Sequence, residues 1–225
     1  MLNAEAILDQ KQAPGLIENP CRDALIDLAQ QVPTGQCIVE LGSFKGRSTG
    51  HLALGSHRGN KVPVYAVDPW EGGHVPRGYE QHAPTVSEYR LSETRQVFET
   101  HMQNTGAHHY VTAIQATAKD AAKNWNGPKI GLLFHDALHR LEDVRDDLRA
   151  WLPHMANKAV IVLHDVGDPT FQVLSGAEAA FTRNKQLRET WNWEGREIHL
   201  WQKPDGNGGW RVVPKRGYAI IRTKE

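Results

Sequence analysis

Cysteine is scarce: Cys21 and Cys37 are the only two in 225 residues. Two thiols make neither a disulfide framework nor a cysteine-rich zinc site, and they point to a reducing, cytoplasmic home. Long apolar runs are missing as well. The longest, Ala159-Val160-Ile161-Val162-Leu163, falls well short of the about 20 residues a bilayer span needs, so no membrane association is expected. The opening MLNAEAILDQKQ carries acids and no apolar stretch, which does not read as a secretory leader. An excess of one charge is missing too. Lys+Arg and Asp+Glu both number 26, which argues against a chain held by nucleic-acid phosphates or an anionic membrane surface. Repeats and low-complexity blocks are absent.

What is present reads as one globular domain over residues 1–225. Hydrophobic residues make up 40% and charged residues 23%, enough for a sizeable core. Residues 1–35 read as an N-terminal helical extension. Asn19-Pro20 is a helix start, a capping side chain followed by proline, and Leu25, Leu28 and Ala29 repeat at helical spacing up to Val32. Apolar runs at 37–41, 64–67, 110–115, 130–134 and 159–163 then alternate with helical patterns at 48–57, 88–104, 119–124, 141–152 and around 177–181. Thr85 with Glu88 offers a capping box for the second of these helices. Strand–helix alternation five times over predicts a parallel sheet with helices on both faces. Ile198–Trp201 and Tyr218–Ile221 follow as two strands without an intervening helix. The expectation is an α/β, Rossmann-like, mostly parallel seven-stranded sheet with an antiparallel C-terminal edge hairpin. The Gly/Pro-rich stretches 69–78 and 204–217 read as loops.

In an open parallel sheet, ligands bind beyond the carboxyl ends of the strands, near the point where strand order reverses. Those ends carry Gly42 to Gly46 after the first strand, Asp68 after the second, Ala116-Thr117 after the third, Asp136 and His139 after the fourth, and His164-Asp165 after the fifth. Glycines let a ligand approach the backbone, and an acid on the next strand accepts the hydroxyls of a ribose, so the pair favours a nucleoside site. Neither the G-x-G-x-x-G dinucleotide pattern nor the Walker sequence is present. Strands four and five are neighbours in this fold. Two carboxylates there, Asp136 and Asp165, repel unless a proton or a cation sits between them.

The ordered set of segments resembles class I S-adenosylmethionine-dependent methyltransferases. Ile38 to Thr49 (IVELGSFKGRST) looks like their first motif, and Val64 to Trp70 (VYAVDPW) like their second. Leu132 to His139 (LLFHDALH) is similar to the F-I-D-G-x-H stretch of the branch that holds macrocin-type O-methyltransferases and cephalosporin hydroxylase relatives. Val144 to Pro153 and Val162 to Asp165 continue it, so the resemblance covers roughly residues 36–185. It implies that Glu40, Gly42, Ser43 and Gly46 line the methionine end of the cofactor, with Asp136 near its amine. Asp68 would hold the ribose and Trp70 flank the adenine, unless Trp70 is core or lid. Thr117 would meet the adenine edge, although Gln115-Ala116-Thr117-Ala118 departs from the branch's usual G-D-S.

The implied reaction is methyl transfer to a small-molecule acceptor at a hydroxyl oxygen, with His139 as base and Asp136 as its orienter. Asp136, Asp165 and His164 would hold Mg2+ or another divalent ion, if one is used. Otherwise Asp136 touches the cofactor and Asp165 caps a loop. Two other readings remain: a metal-dependent oxygenase akin to the cephalosporin hydroxylase relatives, and a cofactor-binding subunit without catalysis. Residues 71–87, with His74, Arg77, Tyr79 and His82, are expected to form a lid. Trp191, Trp193, Trp201 and Trp210 read as sheet-edge core or an oligomer contact, and a homodimer is the default expectation.

Overall fold

The structure of the protein is a computed structural model that describes residues 1–9, 17, 19–70, 94–166 and 171–181, and four further strands over 188–193, 196–202, 209–214 and 217–223, with side chains in those strands only at 218–221. The expected lid, the Thr85–Glu88 capping box and the side chains of the four C-terminal tryptophans lie outside the described residues.

Helices α1 (Ala4–Leu8) and α2 (Asn19–Gln30) precede the alternating core. The core runs β1 (Cys37–Leu41), α3 (Arg47–Arg58), β2 (Val64–Asp68), α4 (Thr94–Asn104), β3 (Val111–Gln115), α5 (Ala118–Lys123), β4 (Ile130–His135), α6 (Leu141–Trp151), β5 (Met155–Val166) and α7 (Val173–Phe181). Then come β6 (Arg188–Trp193), β7 (Arg196–Gln202), β8 (Gly209–Pro214) and β9 (Gly217–Thr223). One sheet holds them in the order β3-β2-β1-β4-β5-β9-β8-β7-β6. β1 to β5 pair in parallel, and β9 joins β5 antiparallel.

The α/β layering and the parallel half agree with the sequence pattern. The strand count does not: the sheet has nine strands, not seven. Nor do the two strands seen at the C-terminus form a hairpin with each other. β8 lies between β7 and β9, and Trp201 pairs with Trp210 in the β7–β8 ladder. β8 arises inside the stretch read as loop, because a four-residue Trp-Arg-Val-Val run is hidden between glycine and proline. β6, Arg-Glu-Thr-Trp-Asn-Trp, has too few apolar residues to announce itself. Four strands follow one another as an antiparallel meander on the edge of the parallel half.

β1 and β4 are buried along their whole length, as strands covered on both faces must be. One face packs against α6 and α7 through Val39, Leu133, Ile161, Trp151 and Phe181. The other packs against α2 through Ile38, Phe134, Leu25 and Leu28. Among the described residues no helix is long and apolar enough to cross a membrane.

Candidate functional site

Strand order reverses between β1, which continues to β2, and β4, which continues to β5. The carboxyl ends of β1 and β4 therefore open the crevice where such sheets bind ligands. Leu41 pairs with His135, and the Asp136 N–H donates to the Leu41 carbonyl at 2.8 Å. Gly42 and Asp136 thus leave the sheet side by side.

Gly42 has φ +86°. A Cβ there would lie 2.2 Å from the Asp136 carbonyl oxygen and 2.9 Å from the Ala137 Cα. The missing side chain makes room for the β4 end of the protein itself. This is a reason for the glycine beside the one read from the sequence, which was room for a ligand. Gly46, φ +89°, precedes α3, and its missing Cβ makes room for Phe98 and Met102 on α4.

Asp68 closes β2 and ties this turn down. Its Oδ2 accepts the N–H groups of Ser43 at 3.0 Å and Phe44 at 2.9 Å, and its Oδ1 accepts that of Trp70 at 2.7 Å. Burial raises its pKa, and the three N–H donors draw it back. The carboxylate expected to meet a ribose is first of all the knot that joins the β1 and β2 loops, with one lone pair of Oδ1 still available. Trp70, at φ +45°, donates from Nε1 to the Phe44 carbonyl at 2.7 Å. Its ring tilts against Phe98 at 4.9 Å and carries the Arg95 guanidinium at 4.5 Å. Buried, it clamps the loops together, which answers to the core alternative for this residue. Thr117 is exposed and caps α5, its hydroxyl accepting from Asp120 N at 3.2 Å and donating to Asp120 Oδ2 at 2.8 Å.

Glu40 is fully buried on β1, next to the turn. The Thr49 hydroxyl donates to its Oε2, while Oε1 has no partner among the described residues. Burial pushes its pKa up to about 7, against the hydroxyls of Ser48, Thr49 and Ser43, which lower it; Asp136 nearby raises it further. A buried carboxylate oxygen without a donor is suited to a ligand's ammonium group.

Across the crevice, four side chains converge. His139 Nε2 lies 3.0 Å from Asp165 Oδ2 and 3.8 Å from Asp136 Oδ1. His164 Nδ1 lies 3.2 Å from Asp136 Oδ1 and 3.3 Å from Asp165 Oδ2. The donor atoms of Asp136, His139 and Asp165 all fall within 4.8 Å of one another. Strand alternation would send His164 and Asp165 to opposite faces. A register skip in the β5–β9 pairing, with Asp165 at φ +56°, turns both into the cluster.

Burial works against charge on both imidazoles, but the two carboxylates outweigh it, holding His139 up at about 9 and His164 up at about 11. Burial likewise works to raise the acids, and the imidazoles hold Asp136 and Asp165 below the usual carboxylate range. The acids are thus favoured in their charged form, and each imidazole is drawn toward its own by the carboxylates. Phe171, which sequence reasoning passed over, stacks on the His139 ring at 4.5 Å, and the Gln172 N–H donates to the His139 carbonyl at 2.9 Å.

The comparisons with known proteins fit this geometry. No curated protein matches the chain in sequence. Among solved structures, the chain is similar to the O-methyltransferase TomG from Streptomyces achromogenes, involved in tomaymycin synthesis and solved with SAM. The match has 16% identity and a TM-score of 0.60, covering 99% of this chain and 91% of that one. An O-methyltransferase from Bacillus cereus, in complex with SAH, matches at 14% identity and a TM-score of 0.57, over 98% and 88% of the two chains. The cofactor-bound Rv0187 from MTB matches at 17% identity and 0.59, over 99% and 88%. At such identities these likenesses establish the fold. The family model described as a methyltransferase domain matches residues 39–166, from the middle of β1 to the end of β5. That span holds both sides of the crevice, and the chain belongs to the methyltransferase-domain family.

Proposed function

We propose that the protein transfers a methyl group from S-adenosylmethionine to a hydroxyl oxygen of a small-molecule acceptor. The observation that carries this reading is the meeting, at one switch point, of the Gly42–Gly46 turn with the Asp136–His139–Asp165 cluster. The solved neighbours described above as O-methyltransferases share the fold. The even balance of 26 basic and 26 acidic residues supports a small acceptor over nucleic acid.

The residues fit the methyl donor. Glu40 Oε1 is a buried acceptor in want of a donor, and the methionine end carries an ammonium group. Asp68 retains acceptor capacity for ribose hydroxyls. When bound, the donor supplies an electrophilic methyl group on sulfur. The chain's part is to hold the acceptor oxygen in line with it, and alignment of this kind supplies much of the rate. His139 takes the hydroxyl proton at the ring nitrogen turned away from the carboxylates, after releasing its own, while Nε2 keeps its hydrogen toward Asp165. Asp165 and Asp136 orient the ring and make the neutral imidazole a strong base, and Phe171 fixes its plane. Asp136, Asp165 and His164 are also the residues that would hold a divalent ion, which would lower the pKa of the acceptor hydroxyl.

Calorimetric titration with S-adenosylhomocysteine is the first test, followed by release of that product in the presence of hydroxylated and amine acceptors. Absence of binding would overturn the reading, and turnover confined to amines would overturn the oxygen preference. Two histidines beside carboxylates also suit a non-haem iron site, which favours the oxygenase as the second reading. Iron-dependent dioxygen consumption without product release in the methyl-transfer assay would select it.

A further inference from the structure

We propose that the N-terminal helix is an acid-sensitive latch: α1 is docked over two buried imidazoles, His51 and His101, and protons that charge them release it while the sheet stays folded. The latch does not depend on the reaction proposed above.

Helix α1 is held by few ties. Its five residues are too few to stay helical alone in water. The Asn3 N–H donates to the Thr105 carbonyl at 2.8 Å, and Ile7 packs with Ile26 of α2 and Leu54 of α3. Polar groups lie beneath it. His51 on α3 is 1% exposed and His101 on α4 is 4% exposed. The His51 ring donates to the Ile7 carbonyl, while its Nδ1 and the Nε2 of His101 have no partner among the described residues. Gly50 marks where the pieces meet. A Cβ there would lie 3.2 Å from His101 Nε2 and 3.5 Å from Ile7 Cγ2. Helices α1, α3 and α4 thus close on the same two rings.

The charges that bear on His51 have one sign. Arg47, one turn back on α3, Arg22 on α2 and His101 all disfavour a proton there. Arg22 is engaged with exposed Asp23 at 2.8 Å. The acids of α1, Glu5 and Asp9, are exposed, and Glu99 on α4 is exposed and paired with Arg95. A proton on His51 would therefore be a buried charge among cations. Burial first, and then the arginines, hold His51 down at about 3, and burial holds His101 below its ordinary value. Once α1 lifts and water enters, the rings return toward about 6.5. The released state then binds the protons, so docking is at full strength above about pH 6.5 and weakens as pH falls below it. For a ring that stays neutral when docked, release becomes about 25-fold easier between pH 7 and pH 5.

Hydrogen exchange of the full chain from pH 7 to pH 5, read by mass spectrometry as protection factors so that the intrinsic pH dependence of exchange cancels, tests the latch. The peptide covering residues 1–9 should lose protection by about 25-fold or more over that range, while peptides covering β1 and β4 keep theirs. Glutamine can donate to the Ile7 carbonyl but takes no charge. His51→Gln should therefore cut the loss, and His51→Gln combined with His101→Gln should flatten it. The slope with pH is the readout, so a variant that docks α1 less firmly at pH 7 still decides the matter. Protection of residues 1–9 that does not change with pH, loss of protection in β1 and β4 together with it, or an unchanged slope in the double variant would each overturn the proposal.

Discussion

On the β1–β2 side of the crevice the site is drawn by the main chain, and on the β4–β5 side it is drawn by charge. Asp68 gathers three backbone N–H groups, Gly42 gives way to the backbone of Asp136, and Trp70 locks onto a carbonyl. The acids and imidazoles opposite touch one another through side chains at 3.0–3.8 Å. The first kind of construction cannot be altered without altering the fold. The second can be rewritten, because its members stand at strand ends and all but the buried His164 are partly open. His139, Asp136 and Asp165 keep 16%, 25% and 30% of their side-chain surface exposed. A scaffold with one fixed and one adjustable wall suits a common methyl donor and a variable acceptor.

His139→Ala breaks the comparison hardest on the charged side. Turnover should fall about 10²–10⁴-fold, the loss typical of a missing general base. Affinity for S-adenosylhomocysteine, measured by calorimetry, should stay within about threefold, since the altered group lies across the crevice from the donor. Retained turnover would remove His139 from the chemistry.

Gly42→Val is the corresponding change on the main-chain wall. It should cost about 3 kcal/mol of stability or more, because the branched carbons meet backbone that cannot retreat and the positive φ disfavours them. Thermal unfolding should shift down by about 6–12 °C. A variant that melts like the parent would show that the β4 end yields more readily than the geometry indicates. Asp68→Ala comes next. It leaves three N–H groups without their acceptor and should cost about 2 kcal/mol. S-adenosylhomocysteine should bind about tenfold more weakly or worse, and stability lost without affinity would limit Asp68 to its structural role.

The smallest effect sharpens the boundary between the walls. Glu40 has a pKa pushed up to about 7, so it is largely neutral below that pH and charged above it. An ammonium group at Oε1 favours the charged form. Affinity for S-adenosylhomocysteine should therefore rise with pH through 7, by up to about tenfold per unit and levelling off above. Glu40→Gln should flatten the profile, and an unchanged profile in that variant would assign the titration to another group.

The parallel half was legible because β1 to β5 are short apolar runs, each closed by a residue of distinct chemistry. Asp136 and Asp165 could be placed together from the neighbourhood of β4 and β5 alone. His164 was grouped with them by resemblance alone; the skip in pairing that brings its side chain round has no local signal, since period-two alternation points it away. The second duty of Asp68 was equally hidden, and for Trp70 the core role was named but not its partners. Their partners, Ser43, Phe44 and Phe98, lie 24 to 28 residues away and reach them only once the loops have folded. β6 and β8 escaped because one is mostly polar and the other is enclosed by turn residues.

The seam between β5 and β9 also governs the order in which the chain can be assembled. β5 ends at Val166, and its partner begins only at Gly217. At about 5–20 residues per second, synthesis of the intervening stretch takes about 3–10 s. During that interval the stretch 160–166 of β5 presents an unpaired edge. Lys158, earlier in the same strand at φ +61°, places a charge and a left-handed backbone residue just before that edge, the kind of feature that discourages pairing with another chain.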